Sequence, residues 1–225
     1  MYLFIVLWFG PWLMTFRKCA FDLRNFMIIY NTLLVLLNAY IAQILIKSAW
    51  ALNYDILCQR ISYSNDPLEI QIASGLWCYY VSKLIEFTDT IIFVLRKKKS
   101  QMTFLHVYHH ITMPFWCWIA VRWYAGGSTF FIPAMNSVIH CIMYTYYGAS
   151  ALGIRFVQKR WLTALQLVQF FTGIIFGISL LYNSCIFIPR PLIYLGLVYG
   201  ITIILLFINF YREVYTNKVQ KDRTA

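Results

Sequence analysis

Apolar runs of about 20 residues, the length a helix needs to cross a bilayer, follow one another along the whole of this chain. They fall at about 1–16, 25–51, 70–95, 103–123, 128–152, 161–182 and 192–211, and leave a polar tail at 212–225. A soluble domain carries about a quarter charged residues. Here 12% are charged and 61% hydrophobic. The expected architecture is an all-α polytopic membrane protein, one domain over 1–225 with seven transmembrane helices. Its core would come from helix packing in lipid. The first run lacks a basic start and a small-residue cleavage site, so it reads as a helix and not as a signal peptide. It is slightly short for a span, either a short helix or one entered part-way.

The net charge of +11 would suggest nucleic acid in a soluble protein. Here the cations gather in loops between apolar runs, so nucleic acid is not an expected partner. Loops on one side hold Arg17, Lys18 and Arg24; Arg96, Lys97, Lys98 and Lys99; Arg155, Lys159 and Arg160; and Arg212, Lys218, Lys221 and Arg223. The other side holds Arg60, Arg122 and Arg190. This asymmetry places the C-terminus in the cytosol. It also places Cys58 and Cys185 together on the opposite side, where an oxidising lumen permits a disulfide. Two free loop thiols are the alternative.

Four polar groups interrupt the apolar runs. Lys83, Glu86, Asp89 and Thr90 lie in the third run, and His106, His109 and His110 open the fourth. His140, Tyr144 and Tyr147 lie along the fifth, and Thr163, Gln166 and Gln169 open the sixth. Positions i, i+3 and i+4 share a helix face, so the three imidazoles of Leu105-His106-Val-Tyr-His109-His110 form one patch. Each group alone has a plain packing role open to it. The glutamines and tyrosines can bond between helices, Lys83 and Glu86 can form an ion pair, and His140 can be a satisfied core histidine. All four groups fall toward the cytosolic side, which implies a polar chamber inside the bundle. Ionisable groups are costly in a membrane helix and are rarely idle there.

Two chemistries suit this set. H-x-x-H-H supplies imidazoles at ligand spacing, as in membrane di-iron enzymes, but those need about eight histidines and this chain has four. A single zinc remains open, and with it a metal-dependent lipid enzyme. In the metal-free alternative a neutral imidazole attacks a thioester, neighbouring rings move protons, and Glu86 and Asp89 orient the rings. A seven-helix transporter is the non-enzymatic alternative.

Lys83-Leu-Ile-Glu86-Phe-Thr-Asp89-Thr90 resembles the K-x-x-E-x-x-D-T motif of the ELO family of very-long-chain fatty acid elongases. The H-x-x-H-H box, His140-Cys-Ile-Met143-Tyr144-Thr-Tyr146-Tyr147 and Thr163-Ala-Leu-Gln166-Leu-Val-Gln169 resemble its other three motifs, in the family's order and spacing. The resemblance implies that helices two to seven form a barrel of two inverted three-helix units around an acyl tunnel closed at the lumenal end. It implies an acyltransferase of the endoplasmic reticulum membrane. That enzyme condenses acyl-CoA with malonyl-CoA to 3-oxoacyl-CoA, carbon dioxide and CoA, with no cofactor and no metal. The cycle's reductases and dehydratase are then expected partners, and a homodimer is open.

On this resemblance His109 is expected to carry the acyl group and His140 to face it across the chamber. His106 and His110 would position His109, with Glu86 and Asp89 behind them. Lys83 and the block from Arg96 to Lys99 would meet CoA phosphates, and Thr90, Tyr144, Tyr147, Gln166 and Gln169 would support or contact substrate. The start looks shorter than the family's, and the end, Lys221-Asp-Arg223-Thr-Ala, has arginine where members often have a second lysine.

Overall fold

A computed structural model of the chain describes residues 1–154, 158–183 and 187–216. Among them every regular element is helical. The helices are α1 (Phe4–Leu13), α2 (Arg24–Ala51), α3 (Pro67–Ile85), α4 (Phe87–Leu95), α5 (Phe104–Trp123), α6 (Phe131–Leu152), α7 (Lys159–Tyr182) and α8 (Arg190–Tyr211). Short 3₁₀ turns at Lys99–Gln101 and Gly127–Phe130 lead into α5 and α6.

Local chemistry sets these boundaries. Asp66 caps α3 by accepting from the Leu68 backbone N–H at 2.7 Å, and Pro67 follows at the first helical position, where no donor is missed. Thr103 Oγ1 caps α5 by accepting from the His106 N–H at 3.2 Å, which fixes where the histidine box begins. Gly153 ends α6 with φ +93°, a conformation glycine adopts freely.

The apolar run expected over 70–95 is two helices, α3 and α4, separated at Glu86. The Asp89 N–H bonds to the Glu86 carbonyl at 3.1 Å, a tighter turn than the α-helix allows. Glu86 is drawn sideways into polar partners, described below, and the backbone follows it.

Three segments are long and apolar enough to cross a membrane by length and composition: α2, α7, and the run from Arg190 to Tyr215. The helices α5 and α6, of 20 and 22 residues, carry the motif histidines, tyrosines and asparagine, which dilute their apolarity. Val168, Phe171 and Ile175 of α7 and Leu195, Val198 and Leu205 of α8 are exposed, a surface suited to lipid chains.

Packing pairs α2 with both α3 and α6, α3 with α5, α5 with α8, α8 with α7, and α7 with α6. A stripe on α2, Tyr30, Leu34, Ile41 and Leu45, is buried against these neighbours. Asn31 and Asn38 are also buried there, and each donates to the carbonyl four residues earlier in its own helix. The helix α1 stands apart from this set and packs on α4 through Val6, Met14 and Val94.

The loop over 52–66 is strapped to the turn before α6. Gln59 N donates to Ser128 Oγ at 2.5 Å, and Ser128 N donates to the Gln59 carbonyl at 3.1 Å. The Gly127 backbone, at φ +55°, lies so close that a Cβ would sit 2.4 Å from the Gln59 carbonyl oxygen. Tyr54 donates its hydroxyl to Glu69, and burial with that carboxylate behind it raises the phenol above its usual range. Cys58 is disulfide-bonded, whereas Cys19, Cys78, Cys117 and Cys141 are free thiols. Cys185, the partner expected from the sequence, lies outside the described residues.

Candidate active site

A cavity of about 540 Å³ runs from the helix ends at Arg24, Arg96 and Lys159, with Asp22 beside them, down to Asn136 and Gln169 in the middle of the bundle. All four polar groups meet there. Glu86, Asp89, His106, His109, His110, His140, Tyr144, Tyr147, Thr163, Gln166 and Gln169 line it. Lys83 and Thr90 do not. They are buried behind the wall, each beside a ring nitrogen of a histidine that does line it.

The first of these contacts is a buried cluster from two helices. Lys83 Nζ lies 2.7 Å from Glu86 Oε1, and both side chains are 2% exposed. His140 Nδ1 reaches in from α6, 3.1 Å from Glu86 Oε1 and 3.2 Å from Lys83 Nζ. An ammonium only donates and a carboxylate only accepts. If the His140 Nδ1 proton goes to Glu86, the lone pair is left on Nε2.

Lys83, expected at CoA phosphates, is turned inward instead, over the Tyr79 ring and onto Glu86. The cost of an unpaired charge in low dielectric holds it there. The expected support of the H-x-x-H-H rings by Glu86 and Asp89 also takes another form. Glu86 engages His140, and Asp89 Oδ2 accepts from the Tyr144 hydroxyl at 2.8 Å.

The histidine box forms the second wall. The His106 and His110 ring centres are 4.2 Å apart, and those of His109 and His110 are 5.6 Å apart. The His109 ring meets Phe170 of α7 edge-on. His106 Nε2 lies 2.9 Å from Thr90 Oγ1. Among the described residues no three His, Cys, Asp or Glu side chains are grouped to hold a metal ion.

The floor is a bridge across three helices. Tyr79 of α3 donates to Asn136 Oδ1 at 2.9 Å, and Asn136 Nδ2 donates to Gln169 Oε1 of α7 at 3.3 Å. Asn136 was missed in the sequence, although it lies one helical turn before His140 on the same face of α6. The cations at the other end were only partly foreseen. Of Arg96 to Lys99, Arg96 alone lines the cavity, and Arg24 and Lys159 join it from the first residues of α2 and α7. Arg24 also donates to the carbonyls of Ala151 and Leu152 at 3.0 and 3.3 Å, closing the end of α6.

The sequence pattern of the GNS1/SUR4 family, also written ELO, matches residues 1–223. This chain belongs to the ELO family. Very long chain fatty acid elongase 4 of Mus musculus is 45% identical over 230 residues, covering 100% of this chain and 72% of that protein. Very long chain fatty acid elongase 7 of Rattus norvegicus is 38% identical over 229 residues, covering 100% and 81%. Very long chain fatty acid elongase 2 of the same species is 41% identical over 218 residues, covering 96% and 77%. As an ELO member with these apolar helices, the chain is an all-helical membrane protein.

Proposed function

We propose that this ELO member is the condensing enzyme of fatty acid elongation, a very-long-chain 3-oxoacyl-CoA synthase of the endoplasmic reticulum membrane. The observation that carries this is the cavity, with histidines of α5 and α6 along its walls and cations from three helix ends at its mouth. A CoA thioester has a matching polarity, since its head is anionic and its acyl chain apolar. Burial of that chain contributes about 0.8 kcal/mol per methylene, so a tunnel holds long chains by accumulation.

The chemistry divides between the two walls. A neutral His109 attacks the acyl thioester, so a C–N bond forms, the C–S bond breaks, and the departing CoA thiolate takes the imidazole proton. Malonyl-CoA then enters and loses carbon dioxide, and the electron pair of the broken C–C bond becomes the enolate. The enolate attacks the acyl-imidazole, a C–C bond forms, the C–N bond breaks, and the departing imidazole takes up one proton from water at the cavity mouth, the proton that the overall reaction consumes. The products are 3-oxoacyl-CoA, carbon dioxide and CoA. His140, with Nδ1 toward Glu86, turns Nε2 to the malonyl group. His106 and His110 move the proton beside His109. The residues supply binding and acid–base chemistry from within the chain, so no cofactor or metal is part of the proposal.

The finer architecture belongs to the same proposal. Counting α3 and α4 as one crossing gives seven spans, with the cytosolic side at the cations. The packing order of α2, α3, α5, α8, α7 and α6 supports a barrel of two inverted units, with α1 outside. The cycle's reductases and dehydratase are the proposed partners of the product.

Microsomes carrying this chain, labelled malonyl-CoA and acyl-CoAs of graded length, without reductant, provide the test. The expected result is label in a 3-oxoacyl product, reduced at least about 100-fold in His109→Ala. Full activity in a well-expressed His109→Ala variant overturns the nucleophile, and absence of product across the panel overturns the reaction.

A further inference from the structure

The helix α1 packs outside the main set of helices, yet Tyr2, two residues before it, reaches toward the histidine box. The Tyr2 hydroxyl lies 2.6 Å from Thr90 Oγ1, and Thr90 Oγ1 lies 2.9 Å from His106 Nε2. The Tyr2 ring stacks on Phe87 at 4.4 Å between centres, which fixes the phenol over the α4 turn that carries Thr90. Three polar groups, from the segment before α1, from α4 and from α5, thus form one chain. Thr90 is fully buried, and among the described residues its hydroxyl makes no bond to its own helix backbone.

This chain of bonds has a direction. A hydroxyl carries one proton, so Thr90 can donate either to Tyr2 or to His106, not both. If His106 Nε2–H donated to Thr90 and Thr90 to Tyr2, the proton of Tyr2, which does not line the cavity, would have no acceptor among the described residues. A donor held away from water without an acceptor is costly. The order Tyr2 to Thr90 to His106 gives both hydroxyl protons an acceptor and leaves the ring proton on the side of the cavity. It makes Nε2 of His106 an acceptor and puts the ring proton on Nδ1. That nitrogen has no hydrogen-bond partner among the described residues, on a ring that lines the cavity.

We infer that Tyr2 is a positioning residue which, through Thr90, holds His106 as the Nδ1–H tautomer, so that the histidine box presents one defined N–H donor to the cavity. The reading of α1 changes with it. Its docking on α4 is a condition of the site's proton order as well as a packing contact. The part that concerns turnover rests on the proposed condensation; the tautomer does not.

The full chain in lipid nanodiscs, labelled with ¹⁵N-histidine, tests this directly. Only four histidines contribute signals, and a His106→Asn sample assigns the one of interest. The expected result is a single Nδ1–H pattern for His106 in the parent chain. In Tyr2→Phe, which keeps the stacked ring, a mixture of tautomers is expected, the bias falling roughly tenfold or more with the lost bond. Thr90→Val gives the same mixture, and Thr90→Ser, which keeps the hydroxyl, restores the single pattern. The condensation rate in Tyr2→Phe falls about tenfold, since one donor of the acid–base set is no longer fixed, while KM for acyl-CoA stays within about twofold. An unchanged His106 pattern in both Tyr2→Phe and Thr90→Val overturns the inference. Absence of condensation in the parent chain bears on the proposed function alone, because the tautomer is read without turnover.

Discussion

At the end of the bundle marked by Arg24, Arg96 and Lys159, side chains from several helices turn inward around an open volume, and each buried charge has a partner on a different turn or helix. At the opposite end the loop over 52–66 is sewn to the turn before α6 by hydrogen bonds and by a glycine in contact with a carbonyl, and Cys58 of the same loop is disulfide-bonded. The first end spends its polar groups on side-chain contacts around a cavity, and the second spends them on closing the chain over itself. The two ends teach that polar groups serve two uses here, bracing a loop at one end and lining the candidate site at the other, where buried pairs also stabilise the fold. Substitutions at the closed end and at the cavity mouth should therefore separate into losses of folding and losses of turnover, while those in the buried cluster combine both.

The largest effect is expected where the two overlap. Lys83→Ala leaves Glu86 buried without its counter-ion, and the stability of the solubilised protein, followed by thermal or denaturant unfolding, should fall by about 3–5 kcal/mol. Replacing both with leucine should restore most of that stability while condensation stays low, because His140 has lost its Nδ1 acceptor. Recovery of both would assign the cluster to packing alone.

At the closed end, Gly127→Ala forces a side chain into a left-handed backbone against Gln59, at a cost of about 2 kcal/mol. Turnover per folded molecule should be unchanged; a parallel loss of turnover would mean that the two ends are coupled. A smaller effect is expected from Tyr144→Phe, which removes the bond to Asp89 and costs about 1–2 kcal/mol in the same unfolding assays. The smallest change in stability is expected for Lys159→Ala at the cavity mouth. Unfolding should move by under about 0.5 kcal/mol, while KM for acyl-CoA rises severalfold and the ratio between the two chains shrinks as salt is raised, since salt screens exposed charge.

The apolar runs and the four polar groups were visible in the sequence because both are local: length and hydropathy set the helices, and i, i+3, i+4 spacing sets a face. What escaped depended on contacts between helices. The break at Glu86 follows from a histidine 54 residues away, as does the inward turn of Lys83. Asn136 reads as an ordinary polar residue until Tyr79 and Gln169 arrive on either side of it. Tyr2 sits in an apolar run with no neighbouring motif to mark it. The mouth cations come from three separate helix ends, and Arg24 was visible only as a topology marker.

Between Arg24 and Lys47 the helix α2 spans about 35 Å, a few ångströms more than the roughly 30 Å hydrocarbon layer of a typical bilayer. Cations near both ends bracket that length, so in a thin membrane the mismatch is relieved by tilting. Because α2 is packed along α3 and α6, it cannot tilt alone. Bilayer thickness thus acts on the inclination of the whole bundle, and with it on the depth at which the cavity mouth meets the headgroups.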